Sequence, residues 1–252
     1  MKNITRFGLF LFLGLLHYDP ASATTSTRYY AVELILFENL TPGARQSEHW
    51  PQSVELQMQP GKTIEIGKPY PGPLPKGYMS SYTFKPLRAK EYRLNAQAQK
   101  INKSDSRRVL LHTGWRQPGM DKTHALSVHF KRQISAPASA LTSAQGIGAD
   151  AQQARFATPE AGELEGMVKV ILARYLHVDA DIVFRPKTSK IPEDIFKMGQ
   201  NADSDQGGSS TTKPIVYRMH QTRRRMRSRQ LHYLDNPVLG MLVLITPFES
   251  RR

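Results

Sequence analysis

Pro237-Val238-Leu239-Gly240-Met241-Leu242-Val243-Leu244-Ile245-Thr246-Pro247 is a continuous apolar run closed by a proline at each end. Proline ends helices, and a run of this length suits a strand covered on both faces, so the stretch predicts a buried central strand. Such a strand needs neighbours, and the chain offers several. Tyr29-Tyr30-Ala31-Val32-Glu33-Leu34-Ile35-Leu36-Phe37 is rich in β-branched and aromatic residues, stops at Glu38-Asn39, and sets Leu34 and Leu36 on the opposite side of the pleat from Ile35 and Phe37. Arg108 to Arg116 reads as another strand, closed by a turn at Gln117-Pro118-Gly119, and His124 to Phe130 as a shorter one. From Glu165 to Val178 the residues alternate, and Ala180 to Arg185 continues the same extended pattern. Ile215 to His220 supplies a further strand.

One helix interrupts this list. Leu87, Leu94, Ala98 and Ile101 recur at helical spacing between Pro86 and the polar Asn102-Lys103-Ser104-Asp105, which predicts an amphipathic helix over residues 87–101. Residues 40–85 are broken by Pro and Gly, with Pro71-Gly72-Pro73-Leu74-Pro75 too stiff to be helical. Loops near 135–160 and 199–213 are small and polar and are expected to be disordered, with a short helical piece near 194–198. The whole is an α+β domain over residues 24–252: a mostly antiparallel sheet, one main amphipathic helix and long flexible loops.

The first residues assign a compartment. Lys2 and Arg6 flank the start of a ten-residue apolar run from Phe7 to Leu16, and Ala21-Ser22-Ala23 supplies a small-residue cleavage site. This pattern predicts a secretory signal peptide over residues 1–23, cut before Thr24. Ten apolar residues are about half of the roughly 20 that span a bilayer, which argues against a membrane anchor. Cleavage leaves a periplasmic protein with no transmembrane segment. There is no cysteine, so disulfides, thiolate catalysis and Cys-ligated metals are excluded, and core packing alone must hold the exported fold.

Export changes the meaning of the charge. The chain carries 35 Lys and Arg against 21 Asp and Glu, a net +14, which in the cytosol would point to nucleic acid. Outside the cytosol the polyanions are lipid headgroups, lipopolysaccharide phosphates and cell-wall carboxylates, so nucleic acid recedes as a partner. The positive charge is concentrated between Phe84 and Arg132 and again after Pro214, around a slightly acidic middle. Two basic faces suit an anionic polymer, while a solubilising surface explains many of the same residues.

Motifs for catalysis are sparse. Ser210-Thr211-Thr212-Lys213 matches the S-x-x-K nucleophile pattern of penicillin-binding proteins, but it lies in a Gly/Ser tract, runs into Pro214 and has no S-D-N or K-T-G partner. H-E-x-x-H and G-x-S-x-G do not occur. His112, His124, His129, His177, His220 and His232 are scattered along strands, as hydrogen-bonded structural histidines are. Glu163 with Glu165, or Asp179 with Asp181, would share one face of a strand, but solvated carboxylates do the same. The sequence therefore reads as a protein without catalytic residues, metal or cofactor.

The densest chemistry is Arg223-Arg224-Arg225-Met226-Arg227-Ser228-Arg229, five arginines in seven residues. Like charges at this density repel unless an anion relieves them, and the guanidinium fork matches carboxylate or phosphate. His232 and Tyr233 add an aromatic edge suited to sugar rings, and Asp235-Asn236-Pro237 supplies the turn into the final strand. Arg223, Arg224, Arg225, Arg227, Arg229, His232 and Tyr233 are the candidate ligand-binding residues. Pairing of Asp235 with some of the arginines, to hold a hairpin, is the competing structural account.

Arg224-Arg225-Met226-Arg227-Ser228, then Leu231-His232-Tyr233-Leu234-Asp235, then Pro237 and a closing apolar strand with Gly240, resemble the C-terminal signature of the CsiV family of periplasmic proteins from gammaproteobacteria. Tyr30 to Phe37 after a signal peptide, and Ala173-Arg174-Tyr175-Leu176-His177-Val178, are similar to two other blocks of that family. Gln230 and Asn236 depart from its Glu-Leu-His-Tyr and Asp-His-Pro patterns. The resemblance implies a non-enzymatic, peptidoglycan-binding factor that supports cell-wall synthesis and cell shape, acting with a lipoprotein activator of a bifunctional penicillin-binding protein. Two other readings fit the residues: an accessory or assembly protein that binds an acidic protein partner or outer-membrane lipid, and a wall hydrolase with an unrecognised site.

Overall fold

The computed structural model describes residues 27–136, 157, 159–187 and 215–249. The predicted signal peptide, most of the loop near 135–160, the loop near 199–213, the helical piece near 194–198 and the Ser210-x-x-Lys213 match lie outside the described residues. Within them the chain is an α+β fold of two five-stranded sheets. Sheet A runs β3 (Lys85–Pro86), β4 (Arg107–Pro118), β1 (Tyr29–Asn39), β10 (Leu239–Phe248), β9 (Leu231–Asp235). Sheet B runs β2 (Thr63–Glu65), β5 (Ser127–Ile134), β6 (Gly162–Leu172), β7 (Leu176–Pro186), β8 (Tyr217–Met226). Neighbouring strands are antiparallel except β2 with β5, which are parallel. The sequence led us to expect one sheet; two form because the strands from the two ends of the chain and those from its middle each present an apolar face, and these faces cover one another.

The core lies between the sheets. Val32, Leu34 and Leu36 of β1, with Met241, Val243 and Ile245 of β10, meet Leu164, Val168 and Val170 of β6 and Val178, Ala180, Ile182 and Phe184 of β7. β10 is interior to sheet A and pairs with β1 from Tyr29↔Phe248 to Glu38↔Leu239, as its apolar run required. The opposite face of β1 is covered too. Ile35 and Phe37 pack with Leu94, Ala98 and Ile101 beneath α1 (Asn95–Asn102).

That helix is shorter than predicted. Leu87, Leu94, Ala98 and Ile101 are all partly or fully buried, but Leu87 belongs to a strap that precedes the helix. Its N–H donates to the Gly114 carbonyl (2.9 Å), and a Cβ at Gly114 would lie 2.6 Å from Leu87 Cδ1, so only glycine lets the strap lie so close to β4. β3 ends just ahead of Leu87 at Pro86, and a 3₁₀ turn at Ala89–Glu91 takes the place of the expected first helical turn. α1 starts where a carboxylate is waiting: buried Glu33, from β1, accepts the N–H groups of Arg93 (2.8 Å) and Leu94 (2.9 Å) and meets His112 Nε2 (2.7 Å). An acid held across the sheet thus satisfies the helix N-terminus in place of a local cap.

Two other expectations are corrected. The predicted turn at residues 117–119 is still strand as far as Pro118, which pairs with Tyr29. The long alternating segment from Glu165 to Arg185 is a hairpin, with residues 173–175 forming its turn and β6 and β7 paired from Gly162↔Pro186 to Leu172↔Leu176. The last strand of sheet B also runs past His220 to Met226, which places the first three arginines of the cluster in β8.

Candidate functional site: an arginine hairpin that joins the two sheets

β8 belongs to sheet B and β9 to sheet A, so the Arg227-Ser228-Arg229-Gln230 connection carries the chain from one sheet to the other. Buried Met226 fixes the end of β8 opposite Leu176, and buried Leu234 fixes β9 in the core. Further ties brace the crossing: Asn236 Nδ2 donates to the Arg218 carbonyl (2.8 Å) and Gln221 Nε2 to that of Asp235 (3.4 Å). Asn236 Oδ1 accepts the N–H groups of Val238 (3.0 Å) and Leu239 (2.6 Å), shaping the predicted turn into β10.

Two of the arginines have left-handed backbones. Val178 pairs with Arg224 but Ala180 with Gln221, so Asp179 faces both Thr222 and Arg223 in a β-bulge. Arg223 sits there at φ 51° and donates its N–H to Asp179 Oδ1 (2.6 Å). Arg229, at φ 64°, donates its N–H to the Ile245 carbonyl (2.8 Å) and pins the turn to β10. Left-handed backbone at a residue with a Cβ costs about 1–2 kcal/mol, which these two backbone hydrogen bonds help to offset.

The side chains of Arg223, Arg224, Arg225, Arg227 and Arg229 are all exposed, and among the described residues none forms an ion pair. Asp235 does not neutralise them; its carboxylate is engaged by the Tyr233 hydroxyl, which burial and then that hydrogen bond push up to about 12. Arg224 shares a row with Val178 and Arg225 with His177, so these two arginines leave opposite faces of β8. The Arg225 guanidinium lies 3.5 Å from the Tyr175 ring centroid, and Arg174 lies 5.6 Å from it. Tyr175 is half-exposed, so a cationic, aromatic surface extends from β8 onto the β6–β7 turn.

The seven predicted residues do not all converge. His232 turns back on the hairpin, where its Nε2 accepts the Arg227 N–H (2.8 Å). Tyr233 lies on the other face of β9, stacked on Phe37 at 6.1 Å between centroids, away from His232. It is half-exposed there and forms part of the outer face of sheet A. Arg174 and Tyr175 are the residues that sequence reading missed. They were placed inside a long strand, although their block had already been singled out by resemblance.

Four of the other histidines are held in pairs: His112 with Glu33, His124 with Asp121, His129 with Glu165 and His220 with Asp181. Among the described residues no group of three or more His, Asp or Glu could hold a metal ion, and no helix is long and apolar enough to cross a membrane. Glu163 and Glu165 line a cavity of 570 Å³ beside residues 52–56, but both contact Arg185, at 3.2 and 2.9 Å. Burial opposes ionisation of Glu165, and hydrogen bonds from His129 and Arg185 outweigh it, so its carboxyl stays below the usual range. A glycosidase acid needs the reverse shift.

A family model for CsiV, described as a peptidoglycan-binding protein, matches residues 6–248. The chain belongs to the CsiV family. No curated protein and no solved structure matches it. Two of the three blocks that carry the CsiV resemblance, Ala173 to Val178 and Arg224 to Asp235, are neighbours in space through the contact of Arg225 with Tyr175 and its pairing with His177. The third is β1, at the centre of sheet A.

Proposed function

We propose that this protein is a non-enzymatic periplasmic factor that binds peptidoglycan through the arginine hairpin, and that it supports cell-wall synthesis and cell shape together with a lipoprotein activator of a bifunctional penicillin-binding protein. The observation that carries the site is the set of five exposed arginines without an ion pair among the described residues, on a braced backbone. Stem-peptide carboxylates are spaced along a flexible polymer, and guanidiniums projecting from both faces of β8 can each take one. Arg174 and Tyr175 join them, the ring offering a face to sugar or to a guanidinium.

The test is co-sedimentation of the processed protein, residues 24–252, with purified sacculi at low and raised salt, followed by chromatography of released sugars. The protein should pellet at low salt, pellet less at raised salt, and release no muropeptides. The triple reversal Arg224→Glu, Arg225→Glu, Arg227→Glu should stay in the supernatant while melting like the wild type. A reversal variant that pellets normally refutes the site. Failure of the wild type to pellet would favour an acidic protein partner or outer-membrane lipid, and released muropeptides would make the protein a hydrolase.

A further inference from the structure

At the end of sheet A where Tyr29 pairs with Phe248, a second basic surface is built differently from the hairpin. A cleft of 570 Å³ opens there between residues 80–91 and the end of β10, lined by Tyr82, Arg88, Lys90, Arg116, Phe248 and Glu249. Its volume falls in the range of small-ligand sites, about 300–1,000 Å³. The Tyr82 and Phe248 rings meet at 5.1 Å with their planes tilted by 58°, giving a rigid aromatic wall. The Arg116 guanidinium lies 4.8 Å from the Phe248 ring centroid, and its side chain is only 10% exposed.

The charges are unbalanced. Arg88 and Arg116 both pair with one acid, Glu91, and the Arg116 Nε is buried with no partner among the described residues. Lys90 lines the same cleft, exposed and without an ion pair among the described residues, and Glu249 is the acid on the rim. Three cations therefore face two carboxylates beside an aromatic wall. That combination suits a ligand with a carboxylate on one side and an apolar or sugar ring on the other.

We propose that this cleft is a second binding site, for a carboxylate-bearing fragment whose acid group meets Lys90, Arg88 and Arg116 and whose body packs on Tyr82 and Phe248. The choice of wall fragments as the ligand rests on the peptidoglycan reading; the demand for a carboxylate does not. The two basic surfaces share one strand. Arg229 is tied to Ile245, and Phe248 follows three residues later on β10, about 10 Å along the strand. A single polymer can reach both.

The experiment is a ¹⁵N NMR titration of residues 24–252 with a purified disaccharide-peptide muropeptide, with the same compound after amidation of its carboxyls, with the free peptide, and with muramic acid sugar alone. Muropeptide should shift amides around Tyr82, Lys90 and Phe248. Amidation, and separately Lys90→Glu, should each weaken that binding about tenfold, as loss of a charge-assisted contact does. Phe248→Leu, which keeps the apolar contact with β1's end but removes the ring, should weaken it several-fold. In the muropeptide the muramic carboxyl is spent in the amide to the peptide, so the free peptide should reproduce the shifts around Lys90, and a sugar that shifts them more would show that the cleft selects a carboxylate the muropeptide does not carry. Shifts confined to the arginine hairpin, or a Lys90→Glu protein that titrates as wild type, overturn the cleft. If the wild type shows no shift at the cleft yet still pellets with sacculi, the cleft falls and the peptidoglycan reading stands; if the wild type neither shifts there nor pellets, both ideas fall.

Discussion

Replacement of Glu38 by Gln tests how the loop ahead of β2 is fastened to sheet A. The Glu38 side chain is 0% exposed and accepts Arg45 at 2.8 Å and Arg108 at 2.6 Å. Gln keeps the volume, removes the charge and turns an amide donor toward one of two guanidiniums. Removing one partner of a buried pair typically costs about 3–5 kcal/mol. Arg45 would keep Glu160 at 2.6 Å, and Arg108 would keep the Glu160 carbonyl at 2.8 Å. Those surviving contacts place the expected loss at the lower end, about 3 kcal/mol, or roughly 6–12 °C in Tm for a chain of this size. Urea unfolding of Glu38→Gln, Arg108→Gln and the double variant reads it directly. The double variant should lose at least about 1 kcal/mol less than the sum of the singles, because one interaction is then removed twice. A single-variant loss below about 1 kcal/mol, or additivity within about 0.5 kcal/mol, would refute the claim that this buried cluster acts as a unit.

Other consequences are equally open to measurement. A Cβ at Gly240 would lie 2.3 Å from Phe37 Cζ, and the ring cannot retreat because Tyr233 stacks on it; Gly240→Ala should cost about 1–3 kcal/mol by thermal melting, and an unchanged Tm would show that the ring yields freely. The hydrogen bond from Arg88, then the contact with Arg116, hold the Glu91 carboxyl at about 2 against burial, compared with 4.5 for the unperturbed group. A carboxyl lowered on folding contributes stability that is complete above about pH 4.5 and lost as the pH falls through about 2. Glu91→Gln should therefore flatten the acid limb of the stability profile over that interval, and a variant with the wild-type slope would count against the pairing.

The strands that were legible in the sequence are those whose pattern has one explanation. Between two prolines, Val238 to Thr246 reads as a buried strand and is one, and the pleat that sets Leu34 and Leu36 opposite Ile35 and Phe37 is seen in β1, where the structure buries the first pair against sheet B and the second beneath α1. The helix was overextended because Leu87 and Leu94 fall at helical spacing by coincidence: one fills the space over Gly114 and the other sits at the helix cap above Glu33. The β6–β7 hairpin was invisible because its turn is Ala173-Arg174-Tyr175, with no Gly, Pro, Asn or Asp to announce it. For the same reason Tyr175 was missed as a partner of Arg225. The arginine cluster could be read as chemistry because composition alone marks it, but which faces its members take depends on the Asp179 bulge, which shifts the register by one residue and which no local pattern encodes. Tyr82, Arg116 and Phe248 come together only through the pairing of distant strands.

That pairing carries a consequence for how the polypeptide is made. β5, β6 and β7 follow one another in the chain and pair in that order, whereas Leu34 of β1 waits for Val243 of β10. A polypeptide delivered N-terminus first can assemble much of sheet B from successive segments while the apolar edge of β1 stands open. Until the last strand arrives, that edge is an aggregation-prone surface of the nascent chain, and a holding chaperone would find a target there. Premature termination just before Leu239 would leave most of the sequence intact yet strand β1 without the neighbour that closes it.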